Sequence, residues 1–221
     1  MSNFLEITSI DNHKFSGYLA QPVEKPKAGL VILQEIFGVN THIQEVTNLF
    51  AKKGYLSIAP ALFDRIERNV ELSYDEPGVI KGRKLKELCD KNALKDIEAS
   101  ISLVASAGKV GVIGYCWGGS LAWRVACQSN LLKGSVSYYG GDIPNLKHDN
   151  PKCNSLCHFG ELDKGIPLEK VNAFKKFKPE VDTFTYPADH GFNCNHRKQY
   201  EEISAKVALD RTLKFLEKNL C

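Results

Sequence analysis

One segment constrains this chain more than any other: KVGVIGYCWGGSLAWRVAC, residues 109–127. Val110, Val112 and Ile113 make a short β-prone apolar run. Gly114, Gly118 and Gly119 surround a single cysteine, Cys116, and an apolar helical pattern follows at once. A strand that enters a helix through so short a turn holds its central residue in a strained backbone conformation, and side chains on the flanking positions would collide with the adjoining strand and helix. The helix must then fold back against the sheet that contains the strand. The segment therefore predicts a layered α/β fold with its tight turn at a sheet edge.

The rest of the chain agrees. Residues 4–9 and 14–20 read as a hairpin around Asp11-Asn12-His13. GLVILQE, residues 29–35, is continuously apolar until its end, the pattern of a strand buried on both faces. Further strands are predicted over 55–59, 109–114, 135–139, 155–159 and 182–186, and helices over 41–53, 82–105, 118–128, 167–177 and 197–218. Residues 61–80 are charged and without clear period, which predicts a loop or rim of functional character. The alternation implies a mostly parallel central sheet with helices on both faces. There is no internal repeat or linker, and one domain over 1–221 is expected.

Composition excludes several function classes. A net charge of +3, with lysines scattered among acids, gives no footprint for nucleic acid. No run of 18 apolar residues is present, so no membrane span is expected. The N-terminal MSNFLEITSIDNHK lacks the basic and apolar regions of a secretion signal, which predicts a cytoplasmic location. Seven cysteines, an odd number in a chain of this size, argue against a disulfide framework. Cys153, Cys157 and His158 lack zinc-site spacing, so no metal is expected there.

Gly114-Tyr115-Cys116-Trp117-Gly118 matches the nucleophile elbow G-x-Ser-x-G with cysteine in place of serine. A thiol at a helix N-terminus is suited to attack as thiolate, and backbone N–H groups there can hold an oxyanion. In this arrangement an acid and then a histidine follow in chain order. Asp163 and His190 lie in loops after predicted strands, where the carboxyl ends of a parallel sheet gather ligands. Glu161 and Asp189 are competing acids in the same loops. His13, His42, His148, His158 and His196 are the other histidines. Glu35 ends a buried strand, where an unpaired charge is costly, so it must face a polar pocket or an arginine.

These motifs together resemble the dienelactone hydrolase (carboxymethylenebutenolidase) family. The resemblance is carried by Gln34-Glu35-Ile36-Phe37-Gly38-Val39-Asn40, Gly114-Tyr115-Cys116-Trp117-Gly118-Gly119, Tyr138-Tyr139-Gly140, Gly160-Glu161-Leu162-Asp163 and His190-Gly191-Phe192, in matching order from about Gly29 to the last helix. It implies an α/β-hydrolase fold and a triad of Cys116, Asp163 and His190. It also implies a Glu35 that helps to deprotonate the thiol once substrate is bound, and an oxyanion hole from the N–H groups of Ile36 and Trp117. Ester or lactone hydrolysis through a thioester would need no cofactor or metal, and a monomer is expected.

Two arginines hold the substrate carboxylate in family members that open charged lactones. Arg65 matches the first. The second should stand where this chain has Cys194, with Arg197 nearby as a substitute or else a solvated surface arginine. Tyr138 is carried with them as a substrate-side residue. A thiol cannot replace a bidentate guanidinium, so the reaction class is read more firmly than the substrate. Ser120 as nucleophile would sit in the helix instead of at the turn. The rival from another class is a hydrolase-fold thiol sensor or binder without turnover.

Overall fold

In the computed structural model, residues 3–221 are described. Eight strands form one sheet: β1 (Phe4–Thr8), β2 (Lys14–Ala20), β3 (Ala28–Leu33), β4 (Tyr55–Pro60), β5 (Val110–Tyr115), β6 (Leu132–Tyr138), β7 (Asn154–Gly160) and β8 (Asp182–Tyr186). Their spatial order is β1-β2-β4-β3-β5-β6-β7-β8. β1 and β2 pair antiparallel, as do β2 and β4, and every pairing from β4 through β3 to β8 is parallel. The sheet is thus mostly parallel, as the alternation of elements predicts.

The helices are α1 (Thr41–Lys52), α2 (Glu76–Val104), α3 (Trp117–Gln128), α4 (Leu168–Phe177) and α5 (Glu202–Leu220). β3 shows why the sheet needs cover on both faces. Leu30 and Ile32 join the core formed with Ile43 and Phe50 of α1 and Leu216 of α5, while Val31 and Leu33 join that formed with Leu85 and Ile97 of α2 and Leu121 of α3. Alternate side chains of one strand leave water in opposite directions. Among the described residues, no helix is long and apolar enough to cross a membrane.

Two helix starts differ from the sequence reading by several residues. α2 begins at Glu76, well before residue 82, because Asp75 caps it by accepting from the Gly78 N–H at 2.8 Å and Pro77 fits the first turn. The irregular excursion is correspondingly shorter. It holds a 3₁₀ turn over Leu62–Arg65 and is tied back to the loop after β3, where the Leu72 N–H donates to the Phe37 carbonyl at 2.9 Å. α5 starts at Glu202, not at 197. The Glu201 carboxylate caps it through the Ser204 N–H at 2.7 Å, and residues 187–201 remain a long loop.

Candidate active site

Four parallel strands deliver the candidate residues to one edge. Glu35 and Ile36 follow β3, Cys116 follows β5, Asp163 follows β7 and His190 follows β8. Cys116 caps α3 with φ 55° and ψ −116°, a conformation that L-residues rarely adopt. The turn is closed by contact: a Cβ on Gly114 would strike the Gly118 carbonyl, and one on Gly118 would strike the Leu33 carbonyl. That close approach explains both glycines. Cys116 is partly exposed and packs at the margin of the core.

The His190 Nδ1–H donates to Asp163 Oδ2 at 2.6 Å. The other Asp163 oxygen accepts from the N–H groups of Gly165 at 2.8 Å and Ile166 at 3.2 Å, which fix the carboxylate plane. The rival acids are engaged elsewhere. Asp189 accepts from the His190 backbone N–H, and Glu161 accepts from the Thr185 hydroxyl. Among the described histidines, His190 lines the cavity that contains Cys116. His158 is buried inside β7 between Tyr186 and Thr212, and burial pulls its pKa down to about 3. Burial also opposes charge on His190, yet electrostatic interaction and hydrogen bonding with Cys116 and Asp163 outweigh it and move its pKa upward.

The cavity has a volume of about 520 Å³ and is lined by Ile36, Phe37, Val79 and Trp117 on its apolar side. The Gly118 N–H donates to the Gln34 carbonyl at 3.1 Å, holding the loop after β3 against the start of α3. Ile36 and Trp117, close in sequence to the two ends of this bond, both line the cavity. The Trp117 N–H belongs to the first turn of its helix, where a backbone donor has no intrahelical acceptor. Its indole is fixed by donation to Asp90 at 2.8 Å and by stacking on Phe63. Two larger surface hollows, of about 620 and 600 Å³, lie elsewhere and contain neither Cys116 nor His190.

Glu35 is fully buried. It accepts from Arg197 Nη1 at 3.1 Å and from the Tyr74 hydroxyl at 3.4 Å. It faces the arginine that the cost of an unpaired charge demands. Arg197 lines the cavity, with its guanidinium also over the rings of Phe37 and Tyr74. Cys194 is buried with its thiol on the Tyr74 hydroxyl, and burial, reinforced by the charge of Glu35, pushes it up to about 11.

Two expected substrate-side residues are corrected. Arg65 does not line the cavity; its guanidinium is held by Asp96 at 2.7 Å and Asp11 at 3.1 Å. Tyr138 is fully buried and shares a hydrogen bond with Thr212, because it ends β6 pointing into the core. Its neighbour Tyr139, at φ 41°, is turned out of strand alternation and places its ring 4.9 Å from that of His190. The sequence reading also missed Arg83 and Lys86 of α2, which line the cavity. Helical position could have found them, since 79, 83 and 86 recur at spacings of three and four on one face.

Comparison with known proteins agrees with this architecture. The model of the dienelactone hydrolase family matches residues 15–220. A Synechocystis protein named "Putative carboxymethylenebutenolidase" is 35% identical, covering 95% of this chain and 94% of its own. The carboxymethylenebutenolidase of Pseudomonas putida is 31% identical, covering 96% and 94%. A crystal structure described as a putative dienelactone hydrolase, from Klebsiella pneumoniae, superposes with a TM-score of 0.80 at 27% identity, over 97% of this chain and 99% of that one. With a family model spanning nearly its whole length and an α/β-hydrolase sheet beneath the site, this chain belongs to the dienelactone hydrolase family and is a hydrolase.

Proposed function

We propose that the chain hydrolyses small carboxylic esters or lactones through a Cys116–His190–Asp163 triad and a thioester intermediate. One observation carries the reading: the elbow cysteine shares a cavity with a histidine whose far nitrogen is already bound to a fixed carboxylate. Such an order of nucleophile, base and orienting acid is the geometry of acyl transfer.

The His190 ring takes the thiol proton, and the Cys116 thiolate attacks the carbonyl carbon, forming the C–S bond. The carbonyl electron pair moves to oxygen, where the N–H groups of Ile36 and Trp117 stabilise it. Collapse of this intermediate breaks the C–O bond. The leaving oxygen takes the proton from His190, and in a lactone that oxygen stays tethered to the acyl group. His190 then deprotonates a water that attacks the thioester carbon, and the sulfur departs as thiolate. Asp163 keeps the ring oriented and stabilises its charged form in both halves. In this reading Glu35 assists thiol deprotonation when substrate displaces it from Arg197.

Arg83, Lys86, Lys164 and Arg197 put four cations on the cavity wall, beside the carboxylates of Asp142, Asp163 and Asp189. They support an ester or lactone bearing an anionic group near the scissile bond, held by Arg197 in place of the expected arginine at 194. The test is steady-state turnover of a fluorogenic acetate ester by wild type and Cys116→Ala. The expected loss is at least about a thousandfold, the scale seen when a triad member is removed. Near-wild-type turnover by Cys116→Ala would remove Cys116 from the reaction. One stoichiometric labelling without turnover would identify a thiol sensor or binder.

A further inference from the structure

Behind the loop that carries His190 lies a second histidine cluster that the hydrolytic reading does not use. His42 sits near the start of α1, only 3% exposed, and among the described residues neither of its ring nitrogens meets a hydrogen-bond partner. The Asn195 side chain stands close enough to influence the ring without completing that geometry. A buried imidazole left so is costly and calls for an explanation. Three residues on, the same helix face carries Glu45. His196, from the 187–201 loop, approaches from across: its Nε2 is 2.8 Å from Glu45 Oε2, and its ring centroid is 5.8 Å from that of His42. One donor atom from each of His42, Glu45 and His196 lies within 4.8 Å of the others.

We propose that His42, Glu45 and His196 form a binding site for a divalent transition-metal ion, best matched by zinc, which joins α1 to the loop bearing His190 and Arg197. Two imidazoles and one carboxylate are a common zinc set, with water in the remaining position. Bonds of about 2.0–2.2 Å place tetrahedral ligands roughly 3.4 Å apart. The cluster must therefore tighten, and Glu45 and His196 must exchange their mutual hydrogen bond for the ion. Both are partly exposed side chains, 52% and 34%, and are free to shift. A hollow of about 350 Å³ beside His42 and Glu45, lined also by Asn193, Asn195 and Tyr200, gives the ion a route and the water its room. A second triplet, Glu35, His42 and Cys194, is as close. It is the weaker site because Arg197 already holds Glu35 and Tyr74 holds Cys194.

The test is calorimetric titration of the chelator-treated full chain with zinc chloride, alongside thermal unfolding with and without the ion. Wild type and Cys116→Ala are expected to bind one equivalent. Glu45→Gln and His196→Gln, both at partly exposed positions, are each expected to weaken binding by at least about tenfold. Zinc is expected to raise the Tm of wild type and not of His196→Gln. Unchanged affinity in both ligand variants would overturn the site, as would loss of the equivalent in Cys116→Ala, which would put the ion on the elbow thiol. Cobalt substitution closes the remaining alternative: a sulfur-to-cobalt charge-transfer band that disappears in Cys194→Ser would assign the ion to the buried triplet and overturn the proposal. These readouts are independent of turnover, so the site stands or falls apart from the hydrolytic reading.

Discussion

Two arginine–carboxylate pairs, Arg65 with Asp96 and Asp11 and Arg197 with Glu35, are built differently. Arg65 is saturated. Its Nε and Nη2 donate to the two oxygens of Asp96 at 2.7 Å, and Nη1 and Nη2 donate to Asp11 at 3.1 Å. Arg197 makes one 3.1 Å bond to Glu35 and spends much of the remaining guanidinium over aromatic faces at the cavity wall. A planar fork with its donors matched to carboxylates is a fastening between segments. A guanidinium with donors to spare, in a cavity it shares with Cys116, can still receive a ligand. Sequence position near a motif therefore does not tell a clamp for substrate from a clamp for the fold; the number of donors already committed does.

The largest effect expected from this contrast is on stability. Arg65→Ala would strand Asp96, whose side chain is fully buried, without its partner. Breaking such a pair costs about 3–5 kcal/mol. Urea unfolding is expected to show that loss, while kcat/KM of the folded fraction stays near wild type. A large fall in kcat/KM with stability preserved would return Arg65 to the substrate side and dissolve the distinction between the pairs.

Arg197→Gln is expected to reverse the pattern. For an ester carrying a carboxylate, kcat/KM should fall by about 10- to 100-fold, equivalent to about 1.4–2.7 kcal/mol of lost transition-state binding. A neutral acetate ester should be affected less. The comparison of the two substrates is the measurement that matters, because the same variant also leaves Glu35 with Tyr74 alone. Equal losses on both substrates would mean that Arg197 positions Glu35 and does not meet the substrate's anion.

The contrast also shows what was legible beforehand. The order of strands and helices could be read from apolar runs and glycines, because a parallel sheet buried on both faces leaves continuous hydrophobic stretches such as 29–33. The positions of Cys116, Asp163 and His190 after strands of one sheet were readable because strand ends, local motifs and chain order locate them one at a time. Arg65 and Tyr138 were misplaced because their roles depend on where a side chain points after a 3₁₀ turn and at a strand end, and neither orientation is encoded locally. Arg65 is claimed by Asp96, 31 residues away on α2. Tyr138 and Tyr139 are both fully buried, and the positive φ at 139 brings the Tyr139 ring, not that of Tyr138, beside His190. The His42, Glu45 and His196 cluster was invisible for the same reason, since its third member arrives from 151 residues beyond Glu45.

The finest test concerns a charge that titrates where those of the arginines do not, that of His190. Its pKa lies above the ordinary value because, with burial working against it, the Cys116 sulfur and then Asp163 favour the charged ring. A histidine whose folded pKa exceeds its unfolded value of about 6.5 contributes stability that is fully present below that pH. The contribution fades as pH rises through the higher folded value. Cys116→Ser removes the sulfur's contribution and leaves burial opposed mainly by Asp163, so the midpoint must fall, and the decline of stability must begin at lower pH than in wild type. Histidine ring NMR gives the midpoint, and urea unfolding across the same pH range gives the linked free energy. If the midpoint does not move, the sulfur does not share charge with the ring, and the cavity's nucleophile and base are neighbours without being a couple. If it moves while Arg65→Ala leaves it unchanged and Arg197→Gln alters it, then electrostatic coupling to the elbow separates the arginine that faces the chemistry from the one that fastens the fold.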